Sequence, residues 1–171
     1  ALSSAASDVY KRQSWYWFGD SGAMATGWFL AGGSWYYASG SGAMATGWLS
    51  NGGTWYWLGG SGAMASNSWA NVGGVWYWFD DSGAMATGWR QVGGAWYYLT
   101  PGNGAMRTGW VLDGSTWYYC NGSGAMLTGW QWIGGSWYYL KASGAMATGW
   151  ESVGGAWYYL GSSGAMQTGW E

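Results

Sequence analysis

The sequence predicts an all-β fold, a β-solenoid of about eight stacked β-hairpin repeats of 20–21 residues each. Three observations lead there. Trp15, Trp35, Trp55, Trp76, Trp96, Trp117, Trp137 and Trp157 recur at that spacing, and every methionine, from Met24 to Met166, keeps the same beat. The 171 residues include 20 Trp, 14 Tyr and 35 Gly, but only 7% are charged. Aliphatic residues are scarce, so aromatic rings are expected to supply most of the burial.

Residues 1–13 stand outside the repeat. They read as a linker or as a junction peptide of the kind left at the ends of assembled reading frames, and the repeat array spans 14–171. Within each unit Trp-Tyr-Tyr-Leu is a strong strand former. The Gly, Ser, Asp and Asn residues after it are turn chemistry, which predicts a hairpin turn there. The next segment, Ala23-Met24-Ala25-Thr26-Gly27-Trp28, alternates with period two and is expected to be the return strand. Trp15 and Trp17 share one strand face, Tyr16 and Phe18 the other. Two units carry one extra residue, at Thr100-Pro101-Gly102-Asn103-Gly104 and at Ser66-Asn67-Ser68, and insertions settle in turns or at strand edges. A lone hairpin is marginal in water, so the units must stack. The chain stops one residue after Trp170 with no polar capping unit, which suggests a fragment of a longer protein.

Several functions are excluded by composition. With no His there is no His base, His metal ligand or Ser-His-Asp triad. Cys120 is the single cysteine, so no internal disulfide forms; it occupies a Leu position and reads as a small buried hydrophobe. Five basic residues on an acidic chain make no phosphate-tracking patch, so no nucleic-acid partner is expected. No apolar run approaches the ~20 residues of a membrane-spanning helix. Asp80 and Asp81 are adjacent, and Asp20, Asp113 and Glu151 stand alone, so no carboxylate pair is placed for acid–base work. The chain reads as a binding module and not an enzyme, with no catalytic residues, metal or cofactor, and this reading leaves room for an attached catalytic domain in the full-length protein.

The segment Gly33-Ser34-Trp35-Tyr36-Tyr37 followed by Ser41-Gly42-Ala43-Met44-Ala45-Thr46-Gly47-Trp48 resembles the choline-binding, or cell-wall-binding, repeat of Gram-positive bacteria and their phages. Related repeats occur in glucan-binding and toxin receptor-binding regions. The resemblance implies a left-handed superhelix of hairpins and attachment to a surface polymer, with choline on teichoic or lipoteichoic acid as the ligand. It places the protein outside the cell, secreted and held at the cell surface.

Cation recognition fits these residues. A quaternary ammonium donates no hydrogen bond and is held by aromatic faces, at ~0.5–2 kcal/mol per ring. The resemblance implies cages between hairpins, each built from the Trp of Thr-Gly-Trp, the first Trp of the following Trp-Tyr-Tyr and the third aromatic of the one after. On this chain these are Trp28, Trp35 and Trp57; Trp48, Trp55 and Trp78; Trp69, Trp76 and Tyr98; Trp89, Trp96 and Tyr119; Trp110, Trp117 and Tyr139; and Trp130, Trp137 and Tyr159. The middle tyrosines, such as Tyr36 and Tyr138, read as core or stacking residues, and the methionines as packing. An α-glucan or other polysaccharide is the alternative ligand, because stacked Trp and Tyr also serve as sugar platforms. A third reading is a self-associating structural fibre, a homo-oligomer growing end to end.

Overall fold

A computed structural model of the chain describes residues 14–169 and the backbone of residues 2–4; the rest of the 1–13 segment, Trp170 and Glu171 lie outside the described residues. The chain divides into two compact units, Ala1–Ala86 and Thr87–Glu171. All regular structure among the described residues is β, in antiparallel pairs.

In the first unit β1 (Leu2–Ser4) pairs with β2 (Trp15–Trp17), β3 (Gly27–Ala31) with β4 (Ser34–Ala38), β5 (Gly47–Asn51) with β6 (Thr54–Leu58), and β7 (Ser68–Val72) with β8 (Val75–Phe79). In the second, β9 (Gly88–Val92) pairs with β10 (Ala95–Leu99), β11 (Gly109–Asp113) with β12 (Thr116–Cys120), β13 (Gly129–Ile133) with β14 (Ser136–Leu140), and β15 (Gly149–Val153) with β16 (Ala156–Leu160).

The hairpins are phased differently from the sequence expectation. Their turns are the two-residue Gly-Gly steps, not the Ser-Gly clusters. Gly52 and Gly53 have φ of 60° and 81°, the left-handed pair that a type I′ turn needs to match strand twist. At Gly114-Ser115 the first residue alone is left-handed, φ 62°, as in a type II′ turn. The first strand of each hairpin therefore starts next to the Thr-Gly-Trp tryptophan. The Ala-Met segment contributes a single bridge, for example Leu58 to Met64, and is not a full return strand. A tight loop closes it, with Gly59 N donating to Ala63 O at 2.9 Å and Ala65 N to Trp57 O at 2.8 Å.

That loop also stitches successive hairpins. In the first unit Met44 N donates to Trp15 O, Met64 N to Trp35 O and Met85 N to Trp55 O, each at 2.8 Å. In the second, Met126 N donates to Trp96 O at 2.8 Å, Met146 N to Trp117 O at 2.7 Å and Met166 N to Trp137 O at 2.8 Å. The same repeat position forms the dry interior of each unit: Ala38, Leu58 and Phe79 in the first, and Leu99, Cys120, Leu140 and Leu160 in the second, all at most 1% exposed. The Trp35-type rings are roughly two-fifths exposed from Trp15 to Trp137 and 68% exposed at Trp157, and the largest fully sealed side chains are those after the third aromatic.

Both insertions lie where turns or strand edges absorb them. Gly104 N donates to Thr100 O at 2.8 Å inside the longer loop. Asn67 takes φ 44° just before β7, a left-handed conformation that Asn tolerates better than most residues. Asp80 is a turn residue, its Oδ1 accepting from Ser82 N at 2.9 Å and Ala84 N at 3.0 Å; Asn121 does the same in its own loop.

Candidate ligand-binding clefts

Strand alternation divides every hairpin into two unlike faces. On one lie the Thr-Gly-Trp tryptophan and the first and third aromatics; on the other lie the middle tyrosine and the buried column. Successive hairpins pack the first kind of face against the second. Trp48 shows it: its ring is 5.3 Å from Trp57 and 6.2 Å from Trp55 in its own hairpin, and 4.8 Å from Tyr77 and 5.8 Å from Phe79 in the next. Most of these pairs are edge-to-face, the arrangement favoured by ring quadrupoles.

Two clefts in the second unit follow from this packing. Trp110 and Trp117 of one hairpin, Tyr138 of the next, Met146 and Ser163 enclose about 310 Å³. Trp89 and Trp96, Tyr118, Met126, Ala142 and Ser143 enclose about 360 Å³. Trp110 and Trp117 are perpendicular at 6.3 Å, and Tyr138 stands 4.9 Å from Trp110. In the first unit Trp48 meets Trp55 at 6.2 Å and Tyr77 at 4.8 Å, and in the second Trp130 meets Trp137 at 6.5 Å and Tyr158 at 4.8 Å, so the same ring grouping recurs. A further groove of about 290 Å³ is lined by Trp17, Phe29 and Tyr36, with Phe29 stacked on both other rings.

The paired tryptophans of each expected cage belong to one hairpin, as in Trp110 with Trp117. The third rings are placed elsewhere. Trp57 packs on Trp48, Trp78 on Trp69, Tyr119 on Trp110, Tyr139 on Trp130 and Tyr159 on Trp150, each a cross-strand partner in its own hairpin at 5.0–5.3 Å. The neighbouring hairpin instead presents its middle tyrosine: Tyr56 toward Trp28, Tyr77 toward Trp48, Tyr118 toward Trp89, Tyr138 toward Trp110 and Tyr158 toward Trp130. The reason is period two. Residues on the two facing surfaces of stacked hairpins come from opposite strand faces, so a third wall from the next hairpin must be the middle aromatic. The grouping of Trp69 and Trp76 with Tyr98 draws on residues of both units and remains an expectation.

Methionine has two placements. Met126 and Met146 line the clefts. The methionine thioether also lies over the Ser-Gly glycine of the following loop, where a side chain has no room. No buried polar side-chain atom among the described residues lacks a partner. Cys120 is fully buried beside Tyr98 and Val111, and burial pushes its thiol up to about 11. Asp113, at the end of β11, accepts from Trp89 Nε1 at 3.1 Å and from Tyr98 Oη at 3.5 Å. Burial, and next the Asp113 charge, raise the Tyr98 hydroxyl above its ordinary value. Among the described residues no three His, Cys, Asp or Glu side chains group to hold a metal.

A fold of stacked hairpins with repeated three-ring clefts defines a repeat module built to present aromatic pockets. The sequence matches the choline-binding repeat over residues 67–109, 86–129 and 107–148, and the putative cell wall binding repeat over 9–24, 26–44, 46–64 and 148–166. No curated protein matches the chain. Among solved structures, CbpJ from Streptococcus pneumoniae TIGR4 superposes with a TM-score of 0.86 at 43% identity, over 91% of this chain and 57% of that one. Choline binding protein F from Streptococcus pneumoniae gives 0.81 at 43% identity, over 95% and 58%. The choline-binding domain of CbpL from the same species gives 0.67 at 36% identity, over 84% and 78%. Choline binding protein F has also been solved with a peptidoglycan analogue and with ipratropium. This chain belongs to the choline-binding repeat family. It spans less than three-fifths of the length of CbpJ and of choline binding protein F.

Proposed function

We propose that the clefts hold the trimethylammonium group of choline borne on teichoic or lipoteichoic acid, so that the chain attaches its owner to a bacterial cell wall. The observation that carries this reading is the Trp110 cleft, where two indoles, a phenol ring and a thioether converge with no charged side chain among the lining residues. A hydrogen-bonding ligand would find few partners there. A quaternary ammonium needs none, because the ring faces attract it.

Three rings supply roughly 1.5–6 kcal/mol, a millimolar or somewhat tighter site. Several such clefts on one chain engage a repeating polymer with far higher avidity than one alone. The role is attachment rather than catalysis, and it puts the protein outside the cell, at the surface. The exposed Trp96, Trp117 and Trp137 support α-glucan as the second reading, since exposed indoles also stack on sugar rings.

The test is a titration of intrinsic Trp fluorescence with choline, with its neutral isostere 3,3-dimethyl-1-butanol and with dextran. Saturation by choline but not by the isostere is the expected result. No response to choline overturns the reading; a dextran response then assigns glucan, and silence from both leaves a structural role.

A further inference from the structure

The Trp89 and Trp110 clefts share one plan but differ in what touches the edge of the first indole. Asp113 Oδ2 accepts from Trp89 Nε1 at 3.1 Å while its other oxygen accepts from Tyr98 Oη at 3.5 Å. Trp89 is a wall of its cleft, beside Trp96, Tyr118 and Met126. A full negative charge is thus bonded to the rim of a ring whose face would meet a cation. Two effects act in the same direction. The carboxylate attracts the cation directly across about one indole width, and it pushes electron density from the N–H dipole toward the π face.

The equivalent position, one residue before the turn, holds Ala31, Asn51, Val72, Val92, Ile133 or Val153 in the other hairpins. Of these Asn51 alone is polar; it is neutral and donates from Nδ2 to Tyr37 Oη at 3.3 Å. Arg107 acts on Tyr98 in the opposite sense to Asp113 and offsets part of the field. Asp113 is exposed, so salt screens the remainder without abolishing it.

We infer that Asp113 makes the Trp89 cleft a tighter and more cation-selective site than the Trp110 cleft, which rests on the choline reading above. The inference grades the clefts by the charge held against their rings. Asp113→Asn separates charge from hydrogen bonding, since the amide oxygen can still accept from Trp89.

The experiment follows the indole N–H resonances of 15N-labelled protein during titration with choline and with 3,3-dimethyl-1-butanol. In the wild type the Trp89 resonance should saturate at about three- to tenfold lower choline than that of Trp110, an enhancement of the size screened Coulomb attraction allows. Asp113→Asn should bring the two together and leave the isostere unaffected. Unchanged choline affinity at Trp89 in D113N overturns the inference, as does an equal loss for the isostere, which would mean a packing role. If no indole answers to choline, the choline reading falls with it; if all clefts respond alike in both proteins, only the grading falls. Should D113N fail to fold, Asn51→Asp decides, with a three- to tenfold gain at Trp28 expected and no gain overturning the inference.

Discussion

Met44 lies over Gly62: a Cβ built on this glycine would stand 2.6 Å from the methionine Sδ, and Gly62 itself has φ 83°. The same Met-over-Gly relation recurs between Met64 and Gly83 and, in the second unit, between Met106 and Gly124. The Ser-Gly-Ala-Met motif thereby encodes its own stacking. The glycine of one repeat is the seat of the preceding methionine.

Gly62→Ala is therefore expected to destabilise the protein by about 1–3 kcal/mol, from the left-handed backbone and the displaced thioether together. Gly60→Ala, two residues earlier in the same loop with open space around it and no left-handed φ, should change stability by less than about 0.5 kcal/mol. Urea denaturation of both variants checks the pair. Equal effects would mean the Met44 contact carries no constraint.

The placement of the third wall separates two neighbouring tyrosines. Tyr138→Leu should weaken choline at the Trp110 cleft by about 2–30-fold, one ring's share of cation–π attraction. Tyr139→Leu removes a ring that packs on Trp130 and should leave the Trp110 cleft within about twofold. Indole-resolved titration reads both. A larger loss in Y139L than in Y138L would restore the third aromatic to the cage.

The interior column predicts where truncation costs most. Leu140 is fully buried, and Leu140→Ala should cost about 2–5 kcal/mol. Leu112, half exposed, should tolerate the same change to within about 0.5 kcal/mol. Denaturant midpoints of the two variants measure the contrast.

Cys120 gives a pH prediction. Its folded thiol is raised from 9.0 to about 11 by burial, so the folded state favours the protonated form. Below the unfolded value both states hold the proton and nothing is lost. As pH rises from there toward the folded value, only the unfolded chain ionises, and stability falls by up to about 2–3 kcal/mol. The measurement compares wild type with Cys120→Ala across that interval, so that only the thiol differs. The alanine variant should show the smaller alkaline loss, and parallel curves would count against a buried thiol. Thiol reagents should react slowly near neutral pH until the chain unfolds.

Much of this architecture is legible in the sequence. The Trp and Met beats locate the repeats, and Gly-rich turns with aromatic strands specify hairpins. The phase is harder, because Gly32-Gly33 and the Ser41-Gly42 cluster both carry turn chemistry. Only the tight two-residue loop, with both glycines left-handed, marks the hairpin. The paired tryptophans follow from the resemblance, which however points to Tyr139 where the structure places Tyr138. Alternation has to be applied to both stacked hairpins before the middle tyrosine is seen to face its neighbour. Cys120 behaves as a Leu substitute because the column it fills asks for bulk and dryness, not for chemistry.

The Met-to-Trp backbone hydrogen bonds bear on how such a chain comes to be folded. Each bond links a repeat to the one before it, and no described link of this kind reaches further back. Interactions this local favour rapid, stepwise ordering. A chain emerging N-terminus first can finish the Trp110 cleft as soon as Met146 and the loop around Ser163 have appeared, without waiting for distant sequence. Clefts are then completed one repeat at a time, each as soon as the hairpin and loop that close it have folded.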